Sequence, residues 1–419
     1  MTSPAESPQD HQTALDNDPS MPQGPCPDPG GVSTASDLQS PAPATRGPAG
    51  ATAAGSARPP APSGRPQSFL SEFRDAVSAR TVSLIIGILL LQIGFILSYV
   101  GAFHEPTPHQ IPLAVVAPAS ASGPLVTRLN LIPSGPLHAT AVSSQAAARR
   151  LIRDESVSAA LVVDPAAATD TLLVASADGS AEASAAEQVI TAAEASAHRL
   201  VTVTDIVPLQ RGDFHGLTGF YLVVGWIVGG YLVAALLGVA SDAKRATRRR
   251  TIFRLIAFVP YAIISGLAGA IVVGPVLGAL TGHLIALWWL GALLVFTVGA
   301  VTLAFQTLFG VIGIGITILV FVILGNPSGG GPYQSSLLPP FWRAISSALP
   351  NGAATDTVRR IVYFGASGIS VHLFLLAGYA AAGLVIAVIG SSVHQRRATI
   401  GQPGHGPPPR TAEIPARSD

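Results

Sequence analysis

Residues 82–103 have the sequence VSLIIGILLLQIGFILSYVGAF, and this stretch decides the class of fold. It contains no charged residue, and Gln92 is the one amide side chain in it. About 20 consecutive apolar residues are enough for a helix to cross the hydrocarbon core of a bilayer. The stretch therefore predicts a first transmembrane helix.

The apolar character extends over the whole chain of 419 residues. Hydrophobic residues make up 49% and charged residues 11% of the sequence, and the mean hydropathy is +0.48. A soluble domain carries about 25% charged residues, so this chain is suited to a lipid solvent. We expect an all-α bundle of six transmembrane helices. The six apolar stretches are 82–103, 217–240, 252–280, 284–305, 307–325 and 369–392.

The loop between the second and third stretches carries the densest basic cluster next to any of them. Its basic side chains are Lys244, Arg245, Arg248, Arg249 and Arg250. Because positively charged loops stay on the cytoplasmic side, this loop is predicted to face the cytoplasm. With an even number of spans both termini are then cytoplasmic. We expect a multi-pass protein of the plasma (inner) membrane.

Residues 104–216, between the first and second stretches, differ from the rest in composition. Strand-like runs such as 112–117 and 158–164 alternate with helix-like runs such as 145–153 and 181–200. This alternation over a segment of this length is typical of a small α/β domain. The domain is predicted to be extracytoplasmic, because it lies across the membrane from the basic loop.

The two ends of the chain are predicted to be disordered tails, residues 1–66 and 394–419. The first is rich in Pro, Ala, Ser and Gly and has almost no large apolar side chains. Residues 67–81 predict an amphipathic helix in the membrane interface, with Phe69 and Phe73 on one face. A frayed lead-in to the first span is the alternative interpretation.

Several classes of function lack the residues that they require. Lys244 follows Ala243 and not a glycine, so the chain has no P-loop of the usual form. The middles of the six stretches contain no Asp, Glu, Lys or Arg, which argues against a self-powered proton-coupled carrier. The single cysteine, Cys26, rules out a four-thiolate metal site, and histidines such as His372 match no metal-ligand spacing.

No motif of a catalytic nucleophile or a metallohydrolase occurs in the membrane region, so nothing in the residues supports an enzyme. The net charge of +1 gives no excess that would attract nucleic acid. We therefore expect no catalytic site, no cofactor, no bound metal and no nucleic-acid partner.

Three glycines recur every fourth residue at the end of the third stretch: Gly274, Gly278 and Gly282. In a helix this spacing stacks small residues on one face and lets a second helix approach closely. We predict a helix-packing face here. The pattern leaves open whether this face shifts between states or packs statically.

Residues 326–368, between the fifth and sixth stretches, are broken repeatedly by proline and glycine. Irregular backbone at membrane depth is tolerated only where protein or water satisfies its polar groups. We predict a re-entrant element of two short helices that dips toward the outer leaflet. Its marker residues are Asn326, Pro327, Pro339, Pro340, Trp342, Pro350, Gly352 and Arg359.

This segment, together with one span, an α/β domain and five further spans, resembles the membrane subunits of type-2 ABC exporters. The branch that it resembles is the phage-infection-protein (YhgE/Pip) group with its actinobacterial relatives, which are related to the fungal nitrosoguanidine-resistance membrane proteins. The resemblance covers about residues 67–394. It implies a permease half that dimerises and is powered by a separate ATPase. It also implies that the ATPase meets the helix of Phe69 and Phe73 and the loop of Lys244, Arg245, Arg248, Arg249 and Arg250.

Two functions from different classes follow as hypotheses. The first is a permease-like subunit that moves hydrophobic or lipid-like cargo outward, in a homodimer or a pair of permeases. The second is a non-transporting scaffold or receptor of the cell envelope that acts through residues 104–216. Residues 110–210 contain no Trp, Tyr or Phe, and protein interfaces usually rely on such anchors. This absence favours a structural role for the domain over recognition.

Overall fold

The computed structural model describes residues 79–239 and 248–400. Several predictions fall outside these residues: the tail 1–66, the interfacial helix with Phe69 and Phe73, Lys244 and Arg245, and residues 401–419 of the second tail. The last helix continues to Ile400, past the expected start of that tail at 394.

Five helices are long and apolar enough to cross a membrane, as expected of a multi-pass membrane protein. They are α1 (Ala79–Phe103), α5 (Thr218–Val239), α6 (Arg248–Ile271, extended by a π-helical turn to Val276), α7 (Leu284–Phe309) and α11 (Ser370–Ile400).

The remaining apolar stretch, predicted at 307–325, forms a shorter helix. Helix α7 extends through its first residues and ends at Gly310, whose φ of 61° lies in the left-handed region. Helix α8 (Ile312–Thr317) then continues as a π-helix, Ile318–Leu324. At ~1.5 Å per residue it reaches ~20 Å, short of the ~30 Å hydrocarbon core. Six complete spans therefore stay a prediction.

Helix α7 is the centre of the helical bundle. In its most apolar window 61% of the residues are buried, against 6% in α1. Side chains of α5, α6, α10 and α11 complete one hydrophobic core with it. At Gly266 of α6 an added Cβ would lie 2.4 Å from the Ala292 nitrogen of α7, so only glycine permits this approach.

The predicted packing face of three glycines is corrected by the structure. Pro275 lacks an N–H, and the helix ends through the π-helical turn at Val276. Gly278 and Gly282 follow it with positive φ values, and a Cβ added at either would meet nothing within 4 Å. Gly274, Gly278 and Gly282 therefore do not share one helix face.

Residues 111–205 form a small α/β unit around a five-stranded sheet of order β2-β1-β3-β4-β5. All neighbouring strands are parallel except β3 and β4. The strands are β1 (Ile111–Val116), β2 (Leu137–Ala141), β3 (Ala159–Val162), β4 (Thr169–Val174) and β5 (Leu200–Asp205). The helices are α2 (Ala119–Asn130), α3 (Gln145–Arg153) and α4 (Ser180–Ala195).

The helices cover the sheet with two separate hydrophobic clusters. Leu129 of α2 and Ile190 of α4 belong to one cluster, and Ile152 of α3 belongs to the other. Residues from far along the chain complete both: Leu337 packs in the first and Phe364 in the second. The segment before α11 thus contributes to the core of the α/β unit, and this fixes the place of the site described next.

Candidate functional site

The segment 326–368, called the junction segment from here, joins the α/β unit to the bundle. It contains two helices, α9 (Pro340–Ser346) and α10 (Pro350–Tyr363). Each begins with a proline at its first position, where the missing N–H costs no hydrogen bond. The predicted residues Pro339, Pro340 and Pro350 therefore set the helix starts. The position of this segment relative to the bilayer stays a prediction.

Buried amides attach the junction segment to the bundle. The Asn351 Nδ2 donates to the Asn326 Oδ1 at 2.8 Å and to the Phe321 carbonyl at 2.9 Å. Both asparagines are almost fully buried, as is Pro327 beside them. Gly352 follows, where an added Cβ would lie 2.2 Å from the Ser346 carbonyl oxygen. This contact explains why a glycine stands there.

Trp342 attaches the junction segment to α1. Its Nε1 donates to the Ser98 hydroxyl at 3.2 Å, and that hydroxyl donates to the Ile323 carbonyl. A Cβ added at Gly101 would lie 3.0 Å from the Trp342 ring. The C-terminal end of α1 is thereby held against α8 and α9.

The junction segment is also hydrogen-bonded to the α/β unit and to the α/β linker, residues 206–217 between β5 and α5. The Tyr363 hydroxyl donates to the buried Asp213 carboxylate at 2.7 Å. The backbone nitrogen of Glu182, at the start of α4, donates to the Gln334 side chain at 3.3 Å. The Arg359 guanidinium donates to the Gly330 carbonyl at 3.0 Å, which holds the glycine-rich turn against α10.

A cluster of charged side chains fills the contact between the two parts. The Arg360 Nη2 lies 2.5 Å from the Glu155 carboxylate, and its Nε donates to Asp356 at 2.8 Å. Asp356 also lies 3.8 Å from Arg359 and 3.4 Å from His372 of α11. One carboxylate of α10 is therefore shared by two arginines and a histidine.

Burial gives two carboxyl groups of this cluster unusual acidities. It raises the pKa of Glu155 to about 8. The Asp356 and Asp178 carboxylates raise this pKa further, whereas the positive charge of Arg360 lowers it. Burial raises the pKa of Glu182 to about 7, again helped by Asp178. The pKa of Asp178 itself is raised by burial. At neutral pH Glu155 therefore holds a proton, and Glu182 is near its midpoint.

A polar cavity of about 210 Å³ lies among these groups. Its lining includes Asp178, Glu182, Gln334, Asp356, Arg359 and His372. A volume of this size holds several water molecules, and the polar walls supply their partners. Within residues 79–239 and 248–400 no group of three or more His, Cys, Asp and Glu side chains could hold a metal ion. The arrangement is suited to holding water beside a carboxyl group, that of Glu182, which titrates near neutral pH.

Of the eight marker residues of the predicted re-entrant element, Asn326, Trp342 and Arg359 make the contacts described above, and whether this element is re-entrant in a membrane stays a prediction. The described basic residues of the predicted ATPase-coupling loop lie apart from the junction segment. Arg248, Arg249 and Arg250 are exposed at the start of α6, whereas Thr281, beyond the end of that helix, bonds Gln210 of the α/β linker. The helical stretch from Arg248 to Val276, which separates these two places, is about 40 Å long at ~1.5 Å per residue.

Sequence reasoning missed the acidic side chains of the site. Asp356, Arg359, Arg360 and Tyr363 recur at helical spacing, and this signal could have been found. Glu155 and Glu182 carry no such signal, because their partners lie far along the chain. Comparisons with protein-family models, with curated proteins and with solved structures found no match to this chain.

Proposed function

We propose that this chain is the permease-like subunit of a type-2 ABC exporter that moves hydrophobic or lipid-like cargo outward. In this proposal it lies in the plasma (inner) membrane with six spans, both termini in the cytoplasm, and the α/β unit as an extracytoplasmic domain inserted between the first two spans. A separate ATPase supplies the energy.

One observation carries the proposal: the buried connection between the α/β unit and the helices of the bundle. Buried polar contacts link Glu155 and Asp213 to α10, and Trp342 links α9 to α1. Breaking buried polar contacts of this kind costs several kcal/mol, so the parts move together. A movement of the helices would therefore reach the outer domain, as an export cycle requires.

The apolar middles of the spans support a hydrophobic cargo over a hydrophilic one. We propose that two permeases meet at the first helix, which leaves most of its apolar surface uncovered by its own chain. Lipid or a second copy then covers that surface. The sheet region 110–210 contains no aromatic side chain, so we rank a receptor or scaffold below an exporter.

The proposal is tested by purifying the full chain from its native membranes in mild detergent and assaying ATPase activity. We expect a stoichiometric P-loop ATPase to accompany it. Replacing Lys244, Arg245, Arg248, Arg249 and Arg250 with Gln should release that ATPase if topology is retained. The matched control replaces Arg149, Arg150 and Arg153 of α3 with Gln and should keep it. A pure chain with no ATPase would overturn the proposal and favour a stand-alone envelope protein.

A further inference from the structure

A second, larger cavity lies apart from the charged cluster, between the α/β unit and α9. It is a groove of about 920 Å³, within the range of ~300–1,000 Å³ typical of small-molecule sites. Its walls on the side of the α/β unit are Ile132, Pro133, Pro136, Val189, Ala192 and Ala193. The opposite wall is formed by residues 107–109 and by Pro340 and Arg343 of α9. The walls are mostly apolar.

Arg343 is the one lining side chain that is permanently charged. Its Nη2 donates to the Leu338 carbonyl at 2.9 Å, whereas its buried Nε has no hydrogen-bond partner among the described residues. Within the same part of the chain no carboxylate lies at ion-pair distance from it. A guanidinium without an ion-pair partner beside an apolar surface favours a phosphate or carboxylate as its partner.

The groove lies beside the end of the first apolar helix. The neighbour of Arg343, Trp342, bonds Ser98 of α1, and residues 107–109 follow the end of that helix. Two exposed apolar side chains adjoin the groove in sequence: Leu131 is 75% exposed and Phe341 is 54% exposed. In the proposed topology this places an apolar opening at the outer membrane surface.

We propose that this groove binds an anionic membrane lipid, with an acyl chain along its apolar wall and the phosphate on Arg343. The charge complementarity of Arg343 selects an anionic head group, and the apolar wall selects a chain. The proposal rests on the proposed function for the side of the membrane, and it narrows the cargo or regulator of that function to anionic lipids.

The experiment measures binding of dioleoyl-phosphatidylglycerol and dioleoyl-phosphatidylcholine to the delipidated full chain by native mass spectrometry, without ATP or an ATPase. We expect the phosphatidylglycerol to bind about tenfold more tightly, because the choline cation of phosphatidylcholine offsets the charge of the phosphate that lies on Arg343. Arg343→Gln should abolish this preference, and Arg343→Lys should retain part of it. The matched control, Arg153→Gln on the exposed end of α3, should leave it unchanged.

A second variant tests the apolar wall. Ala193→Trp, which fills the groove, should weaken binding of both lipids, and unchanged elution and thermal stability would show that the variant is folded. Glycerol phosphate, a head group without a chain, should not compete at concentrations that match the lipid. A preference that survives Arg343→Gln, affinities that survive Ala193→Trp, or equal competition by glycerol phosphate would overturn the proposal. Lipid binding without ATP-driven export would overturn the proposed function alone.

Discussion

The Arg360 guanidinium lies 2.5 Å from the Oε2 of Glu155 and joins α10 to the loop that follows α3. The Glu155 side chain is 3% exposed, and its other oxygen has no hydrogen-bond partner among the described residues. The residue stands in the left-handed region, with φ of 52°. A carboxylic acid that is protonated at neutral pH therefore faces an arginine across the contact between the α/β unit and the bundle.

Removing Arg360 should loosen this contact. Arg360→Met leaves the Asp356 carboxylate with the more distant Arg359 and His372, and we expect the free energy of unfolding to fall by about 3 kcal/mol. Thermal unfolding of the purified chain in detergent measures the effect. Arg153→Met, at the exposed end of α3, is the control and should change little. Equal stability of the two variants would contradict the role given to the contacts of Arg360.

The pH dependence of stability should run opposite to that of an ordinary salt bridge. The pKa of Glu155 is about 8 and that of Glu182 is about 7 in the folded chain, against 4.5 when unfolded. Between these values the folded state binds more protons, so its stability is greatest at acidic pH and falls as the pH rises to about 8. The facing groups are Asp356, Asp178 and the two arginines of α10.

Thermal unfolding from pH 5 to pH 9 checks this dependence. The double variant Glu155→Gln/Glu182→Gln imitates the protonated acids and should flatten the profile while changing stability little at pH 5. A melting temperature that rises with pH in the unmodified chain would show that the two carboxyl groups are ionised in the folded state.

The Tyr363 hydroxyl should contribute to stability separately from the ring, which packs against two hydrophobic clusters. Tyr363→Phe removes one of the donors to the buried Asp213 carboxylate, whose remaining partner is the Thr218 nitrogen at 2.9 Å. We expect a loss of about 1–3 kcal/mol and faster proteolysis of the linker into α5. The control, Tyr221→Phe, changes a side chain that is 62% exposed. Similar proteolysis of both variants would refute the assignment.

Replacing Gly352 even with alanine should destabilise the protein. In Gly352→Ala the new Cβ clashes with the Ser346 carbonyl oxygen, and such overpacking costs about 1–3 kcal/mol. In Gly378→Ala, in α11, an added Cβ meets nothing within 4 Å, so the same change should be neutral or stabilising. Melting temperatures of the two variants decide the point, and a neutral Gly352→Ala would show that the turn before α10 adapts.

The sequence was sufficient for five of the six predicted apolar helices and for most strands and helices of the α/β unit, because hydropathy and periodicity are local information. No strand was predicted at Leu200–Asp205, which forms β5, although its alternating Val and Thr residues are a strand signal. The prediction that Gly274, Gly278 and Gly282 share one helix face was wrong, because the helix ends just after Pro275. Pairing of Glu155 with Arg360 was beyond sequence reasoning, since it depends on how the sheet packs.

The central claim is that the α/β unit and the bundle work together in ATP-driven export, and one measurement tests it most directly. Inside-out membrane vesicles that contain the full chain are loaded with a fluorescent lipid, and its movement into the lumen is followed with ATP and with ADP. We predict ATP-dependent movement that Arg153→Met retains and Arg360→Met loses at equal protein levels. Movement that is the same without the chain, or is unchanged by Arg360→Met, would contradict the account.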